Sequence, residues 1–405
     1  MTVARQVLFS AIGVGLILAA LRSAVGVVVV PRGLPSQLSR LVFLTVRVTF
    51  RAFLVLQGRG RRRARVATRD PLLVFYAPVS LLALQACWLM MVGAGYIFLF
   101  DALGGSWREA VRLSGSSLTT LGFDRPQSML GEVLAFTEAG AGLALLTLLI
   151  TYLPSLYSAF GRREQLVRKL EVRAGTPPSG CELLERAYAS HRQHGMPELW
   201  RAWEDWFVDV EESHTSFAAL AFFRSPSASL SWITAAGAVL DAAALLLAAV
   251  PEAPSSEGAK DLPPDEDVAA GLAQADPLAA EVCLRSGALA LRRIATYYSA
   301  TVGGPTQPGC TSVREEEFDE VFRRLTSSHV PVSADRAAMW TAFQSWRAHY
   351  DLPLVRLAAL IEAPPAPWSS DRELPVSATR LRLRSRHVSG DASEIQAPNS
   401  DRPAA

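Results

Sequence analysis

Residues 71–100 contain no charged side chain, and this run constrains the fold more than any other feature of the sequence. A helix needs about 20 apolar residues to cross a bilayer. Two further stretches reach that length: residues 7–30, with one charged side chain, and residues 129–156, with two. The sequence therefore predicts an all-α, polytopic membrane protein.

The composition indicates that the rest of the chain is soluble. Of the 405 residues, 50% are hydrophobic and 19% are charged, with a net charge of +2. This is too apolar for a wholly soluble protein and too charged for a wholly membrane-embedded one. The near-neutral charge does not predict nucleic-acid binding. The widely spaced cysteines predict neither a disulfide framework nor a zinc site; they are Cys87, Cys181, Cys283 and Cys310.

Arginine-rich segments on both sides of residues 71–156 predict the orientation of this hairpin. Six arginines lie in residues 58–70, and residues 161–173 are basic again. Because short basic flanks stay in the cytoplasm, residues 58–70 are predicted to form a basic cytoplasmic loop, and residues 101–128 to lie outside. The arginines of this loop also favour contact with anionic membrane lipids.

Residues 1–57 are predicted to hold the N-terminal membrane helices. Residues 7–30 form one crossing, interpreted as a retained anchor because they lack a basic leader and a clear cleavage site. Residues 41–56 are apolar apart from Arg47 and Arg51, and form either a second crossing or a helix in the membrane interface. We favour the second crossing, which gives four crossings and a cytoplasmic N-terminus.

Residues 161–361 are predicted to form a cytosolic helical domain. A linker rich in proline and acidic residues is expected at 251–276, and a disordered tail at 362–405. Within the domain, aromatic and apolar side chains recur on one face of an amphipathic helix; they are Trp200, Trp203, Trp206, Phe207 and Val210.

Residues 229–250 are also long enough to span a membrane. However, Asp241 lies at their centre, and basic flanks are missing. We therefore favour a buried helix of the cytosolic domain over a further crossing.

The chain carries no sequence motif of a catalytic or nucleotide-binding site, so it is not predicted to be an enzyme. A cluster of histidines and acids lacks a coherent set of metal ligands and is interpreted as a solvated helix surface. Its members are His191, His194, Glu211, Glu212 and His214.

The segment between the second and third apolar stretches includes residues 114–126, SGSSLTTLGFDRP. Residues 107–118 predict a short helix, with Trp107 at the membrane interface. Extended chain after such a helix exposes backbone carbonyls, which a membrane tolerates only where protein or water covers them. A ring of carbonyls can replace the hydration shell of a cation. Gly122 permits backbone angles that turn carbonyls inward, and Thr120 can add a hydroxyl ligand.

With this order of elements, residues 71–160 resemble the two-helix pore module of the potassium-channel superfamily. The filter motif of that family is T-x-x-T-V-G-Y-G. Asp124 stands where the second glycine is expected, and it adds a charge at the outer mouth. The other positions of the motif, in order, are occupied by Ser117, Thr120, Leu121, Gly122 and Phe123.

The resemblance implies a subunit of a cation channel that assembles as a homotetramer. It implies an outer helix, a pore loop at 105–126 and an inner helix. The permeant ion would be a monovalent cation, with K⁺ favoured, and no further metal or cofactor is implied. The ion would be bound by the backbone carbonyls of the selectivity filter, residues Thr119, Thr120, Leu121, Gly122, Phe123 and Asp124.

Three residues of the predicted inner helix form a second group of candidates: Glu138, Gly140 and Gly142. Four copies of Glu138 could line a cavity and concentrate cations, or a protonated Glu138 could bond to a neighbouring helix. The two glycines could form a hinge or allow close helix packing. The sequence leaves these alternatives open.

A second hypothesis is a membrane-anchored interaction or signalling protein whose pore-like loop does not conduct, with its work done by residues 162–361. Asp124 is the feature that favours it. The sequence does not indicate a ligand for the cytosolic domain. Under both hypotheses the chain is a multi-pass protein of the cell membrane with a cytoplasmic C-terminal domain.

Overall fold

The computed structural model describes residues 3–30, 36–56, 71–190, 193–250, 274–298, 311–333 and 335–372. Every regular element in these ranges is helical, which confirms the all-α prediction. The predicted basic loop at 58–70 and nearly all of the predicted linker at 251–276 lie outside the described residues.

Twelve α-helices lie in the described ranges, together with short 3₁₀ turns at Pro71–Phe75, Gln193–Gly195 and Leu220–Phe222. The helices are α1 Val3–Val28, α2 Gln37–Leu56, α3 Tyr76–Ala102, α4 Trp107–Leu118, α5 Met129–Ala174, α6 Gly180–Ala189, α7 Met196–Ser216, α8 Trp232–Ala249, α9 Pro277–Tyr297, α10 Glu315–Ser327, α11 Arg336–Arg347 and α12 Asp351–Leu360.

Four of these helices are long and apolar enough to cross a membrane, namely α1, α3 with the turn before it, α5 and α8. This is compatible with a membrane protein. Among the described helices α2 does not meet that standard, because arginines interrupt its apolar face.

Helices α1 and α3 run antiparallel in close contact. Arg5 near the start of α1 pairs with Asp101 near the end of α3 at 2.9 Å. Further along, a Cβ atom on Gly13 would lie only 2.5 Å from the carbonyl oxygen of Gly95, so glycine allows the two backbones to touch. The N-terminal end of α1 therefore lies beside the C-terminal end of α3.

Helix α2 lies at the opposite end of α3, where α3 begins. The rings of Phe43 and Phe50 pack edge-on against Tyr76, with centroids 6.2 and 6.3 Å away. Phe43 also lies 6.2 Å from Phe222, which belongs to the C-terminal part of the chain. Aromatic packing thus holds α2 between the start of α3 and that part.

Ion pairs hold α2 to the same place. Arg47 pairs with the carboxylate of Glu362 at 2.5 Å, and Arg51 pairs with it as well. Both ion pairs join residues of 41–56 to a residue much later in the chain, 315 positions after Arg47 and 311 after Arg51. The second crossing favoured at residues 41–56 stays a prediction.

Helix α8 forms the centre of a helical bundle. All of its residues except Leu247 are buried, and it is surrounded by α5, α6, α9, α11 and α12. Protein therefore covers α8 on every side, as the position of Asp241 predicted.

Asp241 is tolerated in this core because other side chains satisfy it. The guanidinium of Arg347 pairs with Asp241 and, at 2.8 Å, with Asp351. The hydroxyl of Tyr350 donates to Asp241 Oδ1 at 2.8 Å. Buried charges persist where each has a partner, so this cluster joins α8 to α11 and α12.

The predicted disordered tail at 362–405 begins too early. Residues 362–372 are packed on the bundle, where Trp368 is buried and its carbonyl accepts a hydrogen bond from Arg347. The side chain of Trp368 supplies apolar area that the proline- and serine-rich composition of this stretch does not reveal. Residues 373–405 lie outside the described part of the chain.

The interpretation of His214 as a solvated residue is wrong. The side chain is fully buried, 3.3 Å from a guanidinium nitrogen of Arg163 and packed against the ring of Trp232. It lies four residues after Val210, on the apolar face of α7. Within the described residues no cluster of histidine, cysteine and acidic side chains could hold a metal ion; His191 lies outside them.

Candidate functional site

Helix α4, Trp107–Leu118, has the bounds that the sequence predicted. Its start is capped by Ser106, whose hydroxyl accepts a hydrogen bond from the Glu109 N–H at 3.3 Å. This cap satisfies one of the free N–H groups of the first turn. The helix packs between α3 and α5.

The C-terminal end of α4 lies beside two glycines. A Cβ atom on Gly142 of α5 would lie 2.7 Å from the carbonyl oxygen of Leu118, and one on Gly93 of α3 would lie 3.2 Å from Leu118 Cδ2. Gly142 comes thirteen residues after the start of α5 at Met129. At 1.5 Å per residue this is about 20 Å along the helix, so α4 ends beside the middle of the apolar stretch 129–156.

A tight turn reverses the chain after α4. The Leu121 and Gly122 N–H groups both donate to the Ser116 carbonyl, at 3.0 and 3.3 Å. Thr120 and Gly122 have φ angles of 57° and 68°. Nothing lies within 4 Å of a Cβ added to Gly122, so the backbone angle, and not a lack of space, requires glycine there.

The chain then returns along α4. The Asp124 N–H donates to Ser116 Oγ at 3.1 Å, and the Asp124 carboxylate lies 3.3 Å from Arg112 Nε. Ser128 then caps α5, accepting a hydrogen bond from the Gly131 N–H at 3.2 Å. With these contacts the chain runs from beside the middle of α5 back to the start of α5.

Asp124 does not adopt the backbone conformation that explains a glycine at this position of the family motif. Its φ is not positive, unlike that of Gly122. Its charge faces Arg112 on α4. The backbone at Asp124 therefore carries no left-handed strain, and its charge has a cationic partner.

The loop and one face of α5 are exposed in the single chain. Residues 119–123 are exposed, with Leu121 at 71% and Phe123 at 60% of their full exposure. On α5 an exposed row of small and hydroxyl residues follows the three- and four-residue helical spacing. We call this row the polar stripe; it consists of Thr137, Gly140, Ala144, Thr147 and Thr151.

Glu138 faces α4 and not the polar stripe. It is fully buried, and its Oε1 lies 2.5 Å from Ser114 Oγ. Ser114 Oγ also lies 3.1 Å from the Gly93 carbonyl. Gly142 packs tightly against the end of α4, whereas a Cβ on Gly140 would meet nothing within 4 Å. The two candidate glycines therefore have different surroundings.

The residues that hold the loop were not predicted as site residues; they are Arg112, Ser114 and Ser116. They are visible only as part of a hydroxyl-rich stretch. The sequence holds one usable signal, the helical spacing of Ala110, Leu113 and Ser114. This spacing puts the three residues on one face of α4, and that face is buried. A serine on such a face needs a hydrogen-bond partner.

Comparisons with protein-family models, with curated proteins and with solved structures find no match to this chain.

Proposed function

We propose that this chain is the subunit of a cation channel, with K⁺ as the favoured ion and the backbone carbonyls of residues 119–124 as its binding groups. One observation carries the proposal. Helix α4 ends beside Gly142, about 20 Å along α5, and the chain then turns back towards the start of α5.

The depth of this turn is the first support. The hydrocarbon core of a bilayer is about 30 Å thick. If residues 129–156 cross it, the end of α4 and the turn at Thr120 lie near its middle. Non-helical backbone at that depth needs protein or water around it. A water-filled path that binds ions by carbonyls meets this need.

The exposure of the loop supports several copies around one axis. Residues 119–123 and the polar stripe of α5 are exposed in the single chain. The stripe hydroxyls donate to carbonyls of the preceding turn, as Thr147 does to Leu143 at 2.9 Å, which suits a helix that faces both a membrane and a wet cavity. A homotetramer would bring four loops and four stripes to a shared pathway.

The arginine distribution orients the proposed subunit. The basic segments put the start of α3 and the end of the crossing in α5 on the cytoplasmic side. Asp101 then lies outside, and its ion pair with Arg5 puts the N-terminus outside as well. On this basis α2 lies in the cytoplasmic interface, and the helical bundle is cytoplasmic.

Helix α5 joins the proposed pore to the bundle. It continues without a break from Met129 to Ala174, with Pro154 inside it. Its later residues belong to the bundle core, where Val167 and Leu170 are buried. We propose that the bundle acts on the pore through this helix, either as the gate or by holding the tetramer together.

Potassium flux into liposomes that contain the purified protein tests the proposal. Wild type is compared with Gly122→Ala, and Gly115→Ala serves as the matched control. Gly122 has a positive φ that alanine tolerates poorly, whereas a Cβ on Gly115, inside helix α4, would meet nothing within 4 Å. We expect flux in wild type and in Gly115→Ala, and a loss of flux in Gly122→Ala.

Ion substitution in the same liposomes then measures the preference for K⁺ over Na⁺. Equal flux in Gly122→Ala and wild type would contradict a pathway through the loop. An absence of flux, combined with a monomer or dimer on cross-linking, would refute the channel and favour the non-conducting interaction protein.

A further inference from the structure

The hydroxyl of Ser114 is within hydrogen-bond distance of two acceptors. Glu138 Oε1 lies 2.5 Å from Ser114 Oγ, and the Gly93 carbonyl oxygen lies 3.1 Å from it. A serine hydroxyl carries one proton, and an ionised carboxylate is an acceptor only. With an ionised Glu138, one of the two short contacts would have no proton of its own.

We propose that Glu138 is a neutral carboxylic acid that donates its proton to Ser114 Oγ, while Ser114 donates to the Gly93 carbonyl. This chain of two hydrogen bonds ties α5 to α4 and α4 to α3. It makes Glu138 a positioning residue for the ion-binding loop, and this consequence rests on the proposed function.

The surroundings of Glu138 support its neutrality. Among the described residues no arginine, lysine or histidine pairs with it, in contrast to Asp241 with its partner Arg347. Its second oxygen, Oε2, is buried and has no hydrogen-bond partner in the described part of the chain. A buried carboxylate without a counter-ion is far more costly than a neutral acid.

The position of Ser114 explains how Glu138 would act on the loop. Ser114 lies one helical turn before Leu118, the residue that packs on Gly142 and Gly93. A hydrogen bond at Ser114 therefore holds α4 at one depth between α3 and α5. The carbonyls of residues 119–123 follow directly, and a binding constellation depends on such support from its surroundings.

Infrared difference spectroscopy of the full-length protein in lipid, at neutral pH, tests the protonation directly. A neutral carboxylic acid has a C=O stretching band that a carboxylate lacks, and this band shifts in heavy water. We expect the band in wild type and its loss in Glu138→Gln. Glu132→Gln is the matched control, because Glu132 is exposed on the same helix, and it should retain the band. Identical wild-type and Glu138→Gln spectra would overturn the proposal.

Ion selectivity tests the positioning. The amide of Glu138→Gln can still donate to Ser114, so its K⁺-to-Na⁺ flux ratio should stay close to wild type. Glu138→Ala and Ser114→Ala lose the hydrogen bond between α5 and α4. Their K⁺-to-Na⁺ flux ratio should fall about tenfold, the fold-change that corresponds to the free energy of one buried hydrogen bond. A ratio that falls as far in Glu138→Gln as in Glu138→Ala would overturn the proposal.

The infrared and the selectivity experiments distinguish a failure of the Glu138 proposal from a failure of the proposed channel function. If the wild-type protein does not conduct and is a monomer or dimer on cross-linking, the proposed function fails, and the positioning role fails with it. The infrared bands of wild type and Glu138→Gln still decide whether the carboxyl carries a proton.

Discussion

The apolar part of α5 and helix α8 have almost the same hydropathy and opposite surroundings. Their most apolar windows reach mean hydropathies of 2.0 and 1.8. Only 17% of the α5 window is buried within the chain, whereas all of α8 except Leu247 is buried. Hydropathy thus shows that a helix leaves water, but not whether lipid or protein covers it.

The two helices also differ in how they hold a buried acid. Asp241 in α8 has the guanidinium of Arg347 and the hydroxyl of Tyr350 as partners. Glu138 in α5 has only the hydroxyl of Ser114 within the described residues. An ionised side chain fits the first site and a neutral one fits the second. The site in the bundle thus has a cation that balances an ionised acid, and the site around Glu138 has none among the described residues.

The largest expected effect on stability comes from removing the cation of the charge cluster around α8. Arg347→Met leaves Asp241 and Asp351 buried without their cation, and the free energy of unfolding should fall by about 3–5 kcal/mol. Denaturant titration of the full-length protein in detergent, followed by tryptophan fluorescence, measures this loss. The control Arg323→Met removes an exposed pair with Glu320 and should cost less than about 1 kcal/mol. A small loss in Arg347→Met would contradict the role given to this cluster.

The next largest effect concerns the contact between Gly142 of α5 and Leu118 of α4. Gly142→Ala puts a methyl group against the Leu118 carbonyl, and we expect a loss of about 1–3 kcal/mol from overpacking, together with lower ion flux. Gly140→Ala lies two residues away in open space and should be neutral or stabilising by up to about 1 kcal/mol. Thermal unfolding in lipid nanodiscs compares the two. Equal effects would show that the contact between α4 and α5 is not tight.

A smaller effect comes from His214, which lies beside Arg163 of α5. Burial, and then the nearby Arg163 guanidinium, hold the pKa of His214 well below its ordinary value of 6.5. The unfolded chain therefore binds a proton below about pH 6.5 that the folded chain does not. Stability should fall as the pH drops through this range, by up to about 1.4 kcal/mol per pH unit.

The variant His214→Gln removes this titration. Its unfolding free energy should therefore change less than that of wild type between pH 7 and pH 5. Glu362 also loses stabilisation in acid, because hydrogen bonds from Arg47 and Arg51 outweigh its burial and lower its pKa. This loss falls mostly below about pH 5, so the range from pH 7 to pH 5 isolates His214. Parallel pH profiles for wild type and His214→Gln would show that His214 is not held neutral.

The smallest effect concerns the ion pairs between α2 and the bundle. Arg47 and Glu362 are each partly exposed, at 27% and 29%, so a double-mutant cycle of Arg47→Gln and Glu362→Gln should give a coupling of about 0.2–1 kcal/mol. Arg40→Gln, an exposed change on the same helix, is the control. High salt should reduce the coupling. A coupling near zero would mean that the Arg47–Glu362 pair does not help to hold α2.

Local patterns were enough to predict much of the architecture. Long apolar runs with no more than two charges each predicted α1, α3 and the first part of α5, because such runs avoid water whatever surrounds them. The bounds of α4 followed from a short polar stretch led by Trp107, and Asp241 indicated that α8 lies within protein. Each of these conclusions depends on side chains that are close together in the sequence.

The position of α2, the burial of His214 and the packing of residues 362–372 could not be read in this way. Each depends on contacts with distant parts of the chain: Arg47 with Glu362, His214 with Arg163 and Trp232, and Arg347 with the carbonyl of Trp368. The stabilising energy of these contacts comes from residues far away in the sequence, which local composition does not indicate.

The candidate loop also has some features that follow from local sequence and others that depend on tertiary packing. The sequence by itself determined a hydroxyl-rich turn with Gly122 between two long apolar helices, since hydropathy and a backbone preference are local properties. Only the tertiary structure decided that α4 ends beside Gly142, that Asp124 faces Arg112, and that Glu138 lies against Ser114. These relations depend on how three helices pack, and packing is a property of the whole chain and not of any one segment.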